Sequence, residues 1–324
     1  MKAIQIDRFG ASDVMRLAEV SIGVPGRDEV RIAPRAIGIN FIDIYHRTGL
    51  YPMPLPLVLG TEGAGVVEAV GANVTHLQAG DRVAYTARTP GSYAEARLMP
   101  AASVVKLPDA IDFETGAAMM LKGLTVQYLL RRTRVELAPG TFILWHAAAG
   151  GVGLIACQWA KALGLQLIGT ASTDDKCKLA RDAGAAHVIN YSREDVVAKV
   201  KEITGGKGVP VVYDAVGKDT WERSLDCLSP LGLMVSFGNA SGAVPPIALG
   251  SLAAKGSIYV QRPTLGTYTA DRAQTQAMAD DLFAMVGSGK VKIPVERRYP
   301  LAEAARAHDE LEGRGTTGAG VLIP

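Results

Sequence analysis

The 324-residue chain carries 34 Lys and Arg against 32 Asp and Glu, with 48% hydrophobic and 20% charged residues. That is the profile of a globular protein too long for one ordinary core, so two domains are expected. Basic residues interleave with acidic ones, which argues against a nucleic-acid or membrane surface, and no apolar run reaches bilayer length. Met1 leads straight into a strand-like segment with no leader pattern, so a cytoplasmic location is expected. Cys157, Cys177 and Cys227 offer neither a disulfide framework nor a CxxC metal pair and read as small structural hydrophobes.

In chain order, the first 120 residues read as short strands broken by Gly and Pro, at 2–7, 29–39, 63–70, 81–85, 92–99 and 103–106. Such spacing predicts a mostly antiparallel β domain. The segment 40–47 (NFIDIYHR) predicts one or two helical turns, a proline-rich loop occupies 51–56, and a longer helical pattern covers 113–132. From Thr141 strands and helices alternate: strand 142–146, helix 151–163, strand 165–170, helix 174–183, strand 188–190, helix 194–204, strand 211–215 and helix 220–228. Strands at 233–238 and 257–260 close the run. Apolar strands alternating with amphipathic helices imply a parallel sheet covered on both faces. Helices at 270–288 and 302–311 and a strand at 320–323 form a tail too short for a domain, so it is expected to return to the first one. An α/β chain follows, with a doubly wound domain at 125–262 inserted into a β domain made of 1–124 and 263–324.

The strongest local signal is Trp145-His146-Ala147-Ala148-Ala149-Gly150-Gly151-Val152-Gly153, an apolar strand running through small residues into a helix. Small residues permit a sharp turn and let backbone N–H groups approach a pyrophosphate at the positive end of the helix dipole. Strand before, helix after and a βαβ run beyond supply the context of a Rossmann dinucleotide site. An NAD site tends to carry Asp or Glu at the tip of the second strand, whereas here the tip reads Gly169-Thr170-Ala171-Ser172. Asp174 and Asp175 suit the first turn of a helix capped by Ser172 or Thr173. Lys176 in the same turn admits two readings, a partner for a 2′-phosphate or a surface lysine paired with Asp175; Tyr191 would add a hydroxyl to the former. The missing acid favours NADPH over NADH.

The segments HAAAGGVGLIACQWAKALG, AIGINFIDIYHRTGLYP, LGTEGAGVV, LKGLTVQYLL, VVYDAVG and GLMVSFGNASG together resemble the NADPH:quinone oxidoreductases, the zeta-crystallin-like, zinc-free branch of the medium-chain dehydrogenase/reductase superfamily. The likeness runs from first strand to last. It implies a GroES-like catalytic domain and a Rossmann domain, with NADPH in the cleft between them. By position, Gly151, Val152 and Gly153 would meet the pyrophosphate, and Ser172, Lys176 and Tyr191 the adenosine 2′-phosphate. Val216 and Gly217 would lie near the ribose, and Phe237 and Gly238 on the nicotinamide side. Thr125, Arg262 and Arg314 match family positions near the cofactor. Asn40, Tyr45 and Tyr51 match polar residues of the active site. The resemblance also implies a homodimer formed through the edge strand at 256–264, since an exposed apolar edge otherwise invites uncontrolled pairing.

Where zinc-dependent members of that superfamily keep Cys and His ligands, this chain has Asn40, Thr61 and the apolar stretch around Leu121, none of which supplies the S or N donors zinc requires. No metal is therefore expected. Without a Lewis acid an acceptor that takes hydride readily is favoured, a quinone above all, with the cofactor carrying the chemistry. Tyr45 and Tyr51 read either as hydrogen bonders to the quinone oxygens or as aromatics packing at the site's edge. Asn40 orients ribose or substrate, or caps the short helix after it; Glu62 reads as structural. An enone or alkenal double-bond reductase is the enzymatic alternative, and an NADPH-sensitive RNA-binding or structural protein the non-enzymatic one.

Overall fold

The computed structural model describes residues 1–133, 137–313 and 315–324. They divide into two compact units, one made of Met1–Leu124, Tyr268–Ser288 and Ile293–Pro324, the other of Thr125–Thr267 and Gly289–Lys292.

The first unit begins with β1 (Lys2–Ile6), β2 (Arg16–Glu19), β3 (Glu29–Gly38), α1 (Phe41–Thr48), β4 (Leu57–Val58), β5 (Glu62–Val70), β6 (Arg82–Thr86), β7 (Arg97–Pro100), β8 (Val104–Lys106) and the long α2 (Phe113–Arg131). On β3, Val30 and Ile32 point to one face, two residues apart, and meet Val67, Val83 and Met99 in one buried cluster. Pro34 lacks the N–H a regular ladder needs and sits where the β3–β5 register shifts, between Pro34 and Ala36. Gly65 opposite it makes the approach possible, since a Cβ there would lie 2.7 Å from Pro34 Cα.

The second unit is a six-stranded sheet of β9 (Phe142–Trp145), β10 (Gln166–Ala171), β11 (His187–Asn190), β12 (Val209–Asp214), β13 (Leu228–Ser236) and β14 (Tyr259–Gln261). Its order is β11-β10-β9-β12-β13-β14 and every pairing is parallel. This is the doubly wound arrangement. Helices α3 (Gly151–Ala162), α4 (Asp174–Asp182), α5 (Val196–Ile203), α6 (Trp221–Asp226) and α7 (Leu249–Ala254) connect the strands. Leu144, Ile168, Ile189, Val212 and Met234 share a cluster with Val196 and Val200 of α5 and with Trp221 and Leu225 of α6. Their neighbours Ile143, Trp145, Leu167, Tyr213 and Val235 point to the opposite face and are equally buried. Both faces are covered, which is why these strands read as continuous apolar runs.

After α8 (Leu265–Tyr268) the chain returns through α9 (Arg272–Gly287), β15 (Val295–Pro300), α10 (Ala304–Glu312) and β16 (Ala319–Ile323). In the sheet β15-β16-β3-β5-β6-β8, β16 pairs antiparallel with β3 and parallel with β15, while β7 also pairs with β3.

Three strands lack a counterpart among those expected: β2, β4 and β15. β2 and β15 are sheet edges reading RLAE and VERRYP, with most side chains outside the core. Such a strand is held by backbone pairing and carries little apolar alternation to read. The expected strand at 92–99 contracts to β7, with Ala94 making an isolated bridge to Ala3.

Truncating Leu144, wholly buried within the cluster on one face of the sheet, leaves a cavity there. Leu144→Ala is expected to lower stability by about 2–5 kcal/mol, read from the urea unfolding curve.

Candidate functional site

Because all six strands of the second unit run parallel, the segments that follow them emerge at one end of the sheet. Gly151, Val152 and Gly153 follow β9; Ser172 and Lys176 follow β10; Tyr191 follows β11; Val216 and Gly217 follow β12; Phe237 and Gly238 follow β13; Arg262 follows β14. Thr125 does not follow a strand; it belongs to α2. Arg314 lies outside the described residues.

The turn after β9 is built for close approach. Ala147 adopts a left-handed backbone, φ 55°, a conformation that costs a non-glycine residue about 1–2 kcal/mol. Its carbonyl accepts from Gly150 N–H at 3.0 Å, and Ala148 N–H is anchored to Thr170 O at 3.0 Å. A Cβ on Gly153 would stand 2.6 Å from Ala148 C, so only glycine lets α3 start this close to its strand. The cap residue of α3 is Gly150, and no side chain caps it. The donors at the start of α3 are thus left to water or to an anion.

Two polar networks support these loops, and the sequence reading missed both. Asp214 ends β12 and accepts from Val216 N–H at 2.7 Å, Gly217 N–H at 3.1 Å, Thr220 Oγ1 at 2.7 Å and Ser224 Oγ at 2.9 Å. It thereby shapes the turn carrying Val216 and Gly217. With Ser224 donating to Asp214, His146 Nε2 donates to Ser224 Oγ (3.0 Å) and Nδ1 accepts from Thr170 Oγ1 (3.0 Å). His146 is the neutral Nε2–H tautomer, its pKa lowered chiefly by burial. An acid closing an apolar strand, VVYD, was the available signal. The second network fixes the tips of β10 and β11: Ser192 Oγ donates to Ser172 O at 2.8 Å, and Asn190 Nδ2 to Asp174 Oδ1 at 2.9 Å. Arg193 pairs with Asp174. Thr173, not Ser172, caps α4, accepting from Lys176 N–H at 3.3 Å. Phe237 packs 5.5 Å from Trp145, ring to ring, and Arg262 Nη1 reaches back to Ser236 O at 3.0 Å.

In the first unit, Asn40 stands at the N-cap of α1 with extended backbone and is almost fully buried. Its Nδ2 donates to Glu62 Oε2 at 2.8 Å, and its Oδ1 accepts from Lys122 Nζ at 2.7 Å. Tyr45, on the same helix, meets Tyr51 edge to face with centroids 5.1 Å apart, and Tyr51 N–H bonds Tyr45 O at 3.0 Å. Lys122 is the residue that sequence reasoning overlooked, hidden in a helix read as apolar. Among the described residues, no three or more His, Cys, Asp or Glu side chains gather as a metal-holding group.

A buried chain of hydrogen bonds continues from Asn40. Its N–H donates to Asp43 Oδ2 at 2.9 Å, Thr61 Oγ1 donates to Asp43 Oδ1 at 3.1 Å, and Tyr93 OH donates to Asp43 Oδ2 at 3.1 Å. Arg47 has no acceptor, so His308 Nδ1 must accept from its Nη1 (3.3 Å) and His308 Nε2 must donate to Tyr93 Oη (3.0 Å). Arg47 Nη2 also donates to Glu312 Oε2 at 2.6 Å. The chain ties α1 to α10 through neutral His308, whose pKa falls to about 3 by burial and, secondarily, the Arg47 charge. Burial outweighs the three donors to Asp43 and lifts its pKa to about 7.

These shifts act in opposite senses. His308 stays neutral in the folded state, so its contribution is complete above the unfolded value of about 6.5 and is lost as pH falls towards 3. Asp43 holds its proton more tightly when folded than when unfolded, so stability falls as pH rises from the unfolded value of about 3.9 towards 7. His308→Gln is expected to reduce proton uptake on unfolding by about one between pH 6 and 4, measured from the pH dependence of the urea midpoint. An unaltered slope would contradict a neutral buried His308.

Two family models match the chain: "Alcohol dehydrogenase GroES-like domain" over residues 26–109 and "Zinc-binding dehydrogenase" over 151–284. A curated quinone oxidoreductase of Pseudomonas aeruginosa is 57% identical over 324 residues, 100% of this chain and 99% of that protein. The crystal structure of an Escherichia coli quinone oxidoreductase complexed with NADPH superposes with a TM-score of 0.98 at 52% identity, covering 100% of both chains. A 2-haloacrylate reductase of Burkholderia sp. is 44% identical over 330 residues, 99% of this chain and 98% of that protein. A likeness this high over the full length, on a parallel doubly wound sheet with a glycine-lined strand-to-helix turn, settles the kinship: the chain belongs to the quinone oxidoreductase family of the medium-chain dehydrogenases/reductases.

Proposed function

We propose that this chain is an NADPH-dependent quinone oxidoreductase that works without zinc. The observation that carries the reading is the turn after β9, where a glycine cap without a side chain leaves the start of α3 open, in a chain 57% identical throughout to a quinone oxidoreductase. The domains we assign to this activity are a GroES-like catalytic domain at 1–124 and 263–324 and a Rossmann domain at 125–262.

The residues present fit NADPH. The donors at the start of α3, with no side chain capping them, suit a pyrophosphate on the helix N-terminus. Ser172, Lys176 and Tyr191 follow adjacent strands, and Ala171 pairs with Asn190 in register, so the three form one cationic and hydroxylic rim for a 2′-phosphate. Asp174, in the first turn of α4, is engaged with Asn190 and Arg193, and the β10 tip itself, residues 169–172, carries no acid to favour a ribose hydroxyl. Val216 and Gly217, shaped by Asp214, take the ribose, Phe237 and Gly238 the nicotinamide side, and Thr125 and Arg262 complete the cofactor's surroundings. Bound there, NADPH supplies the hydride. Asn40 orients the reactants, and Tyr45 and Tyr51 hold the acceptor's oxygen through their hydroxyls and pass it a proton from water. Zinc independence rests on donor chemistry: the amide of Asn40 and the hydroxyl of Thr61 are poor zinc ligands, and Thr61 already donates to Asp43.

Likeness to the 2-haloacrylate reductase over nearly the whole chain favours activated alkenes as a second acceptor class. Side-by-side rates with benzoquinones and 2-alkenals decide, and faster alkenal turnover would overturn the quinone assignment. For assembly we favour a homodimer through the strand edge at 256–264: β14 ends the sheet, with Tyr259 59% and Val260 40% exposed. A monomer in sedimentation at micromolar concentration would refute it. No helix among the described residues is long and apolar enough to cross a membrane, which accords with a cytoplasmic setting.

NADPH should bind more tightly than NADH. Lys176→Ala should weaken NADPH about tenfold or more, the worth of a hydrogen bond to a charged group, and leave NADH nearly unchanged, read by fluorescence titration. Tyr51→Phe should lower kcat for quinones; unchanged turnover would remove its role in proton delivery.

A further inference from the structure

Lys122 and Glu62 are two of the buried charges of the first unit that the proposed reaction leaves unused, with side chains 8% and 0% exposed. A plain buried ion pair would place ammonium against carboxylate at about 2.7–2.9 Å, yet Nζ and Oε2 stand 3.5 Å apart. Each charge makes its short side-chain contact with a different end of one amide. Lys122 Nζ donates to Asn40 Oδ1 at 2.7 Å, and Asn40 Nδ2 donates to Glu62 Oε2 at 2.8 Å. Main-chain groups complete the arrangement: Leu121 N–H, in mid-α2, donates to Glu62 Oε1 at 2.7 Å, and Lys122 Nζ donates to Ile39 O at 3.2 Å.

We propose that Glu62 and Lys122 are positioning residues that clamp the Asn40 carboxamide in a single orientation for the reaction. Rotating the amide by half a turn would set its NH2 against the ammonium and its oxygen against the carboxylate, two repulsive contacts in a dry site where they are weakly screened. Neutral neighbours would permit either orientation. The clamp holds one N–H and the amide oxygen, which also faces the N3 backbone N–H of α1, and leaves the other N–H, in a fixed direction, for the reactants. Space for it is built into the backbone. A Cβ on Gly38 would collide with Glu62 Oε2 and Ala117 O and lie 2.8 Å from Glu62 Cδ, so glycine at this end of β3 is what admits the carboxylate. Burial raises the pKa of Glu62, and the Lys122 charge and the donors from Asn40 and Leu121 oppose that rise.

The inference rests on the reading that Asn40 faces the reactants, and the test separates the two. The neutral pair Glu62→Gln with Lys122→Met is combined with Asn40→Ala in a double-mutant cycle, following kcat and KM for a benzoquinone and Kd for NADPH, at temperatures where each variant is folded by circular dichroism. In the otherwise native chain the neutral pair should lower kcat on the order of tenfold, the scale of a misplaced positioning group, with melting temperature changing independently. In the Asn40→Ala background the same two changes should cost less than about twofold, because nothing is left to orient. Losses that simply multiply, or a neutral pair with native kcat, would overturn the clamp. Should the neutral pair fail to fold, the single Glu62→Gln variant runs the same cycle. A native chain that neither binds NADPH nor reduces a quinone would sink the functional reading itself; an active one with independent losses sinks only the clamp.

Discussion

Parallel pairing in the second unit is the constraint from which its site follows. Six strands running the same way must all finish at the same end, so every residue that follows a strand is delivered to one rim. Their order, with β9 between β10 and β12, makes the chain leave the first strand in one direction and later return on its other side, and such a reversal opens a crevice beyond the strand ends. Small side chains at Ala147–Gly153 are needed there because α3 starts against its own strand. The left-handed Ala147 shows that some backbone strain is tolerated to achieve it.

Buried polar groups then do what apolar packing cannot, which is to fix direction. Asp214 accepts four hydrogen bonds from the turn and helix after it, so the loop after β12 has a defined path. His146, Ser224 and Thr170 extend that bonding beneath the neighbouring strands. In the first unit, the run from Arg47 through His308 and Tyr93 to Asp43 joins the first helix to the last one, and Asn40 touches both this run and the Glu62–Lys122 pair. Leaving any member unpaired inside a low-dielectric interior is costly. Such networks favour one arrangement sharply over its alternatives.

The Glu62–Lys122 arrangement joins the two themes. Its charges come from a strand and a long helix far apart in sequence, and they converge on an amide at the head of a third element. Gly38 is small for the same reason as Gly153: a polar group or a backbone must come closer than a side chain allows.

Much was legible beforehand. The β-α alternation from Thr141, the glycine turn at 150–153 and the absence of an acid at the β10 tip are local patterns, set by period, steric size and short-range electrostatics, and each can be read in a window of a few residues. The edge strands β2 and β15 were not legible, because an exposed strand is specified by its neighbour's backbone. Nor were the partners of His146, Asp214, Asn40 and Lys122, which lie up to 83 positions away. Lys122 looked like an ordinary polar break in an apolar helix until folding set it against Asn40. The sequence by itself determined the strand–helix alternation of the second unit, which strand-to-helix turn is lined with glycine, and which positions lack zinc donors. Only the tertiary structure decided which buried charges meet, because long-range polar pairing depends on chain path and leaves no periodic trace along the chain.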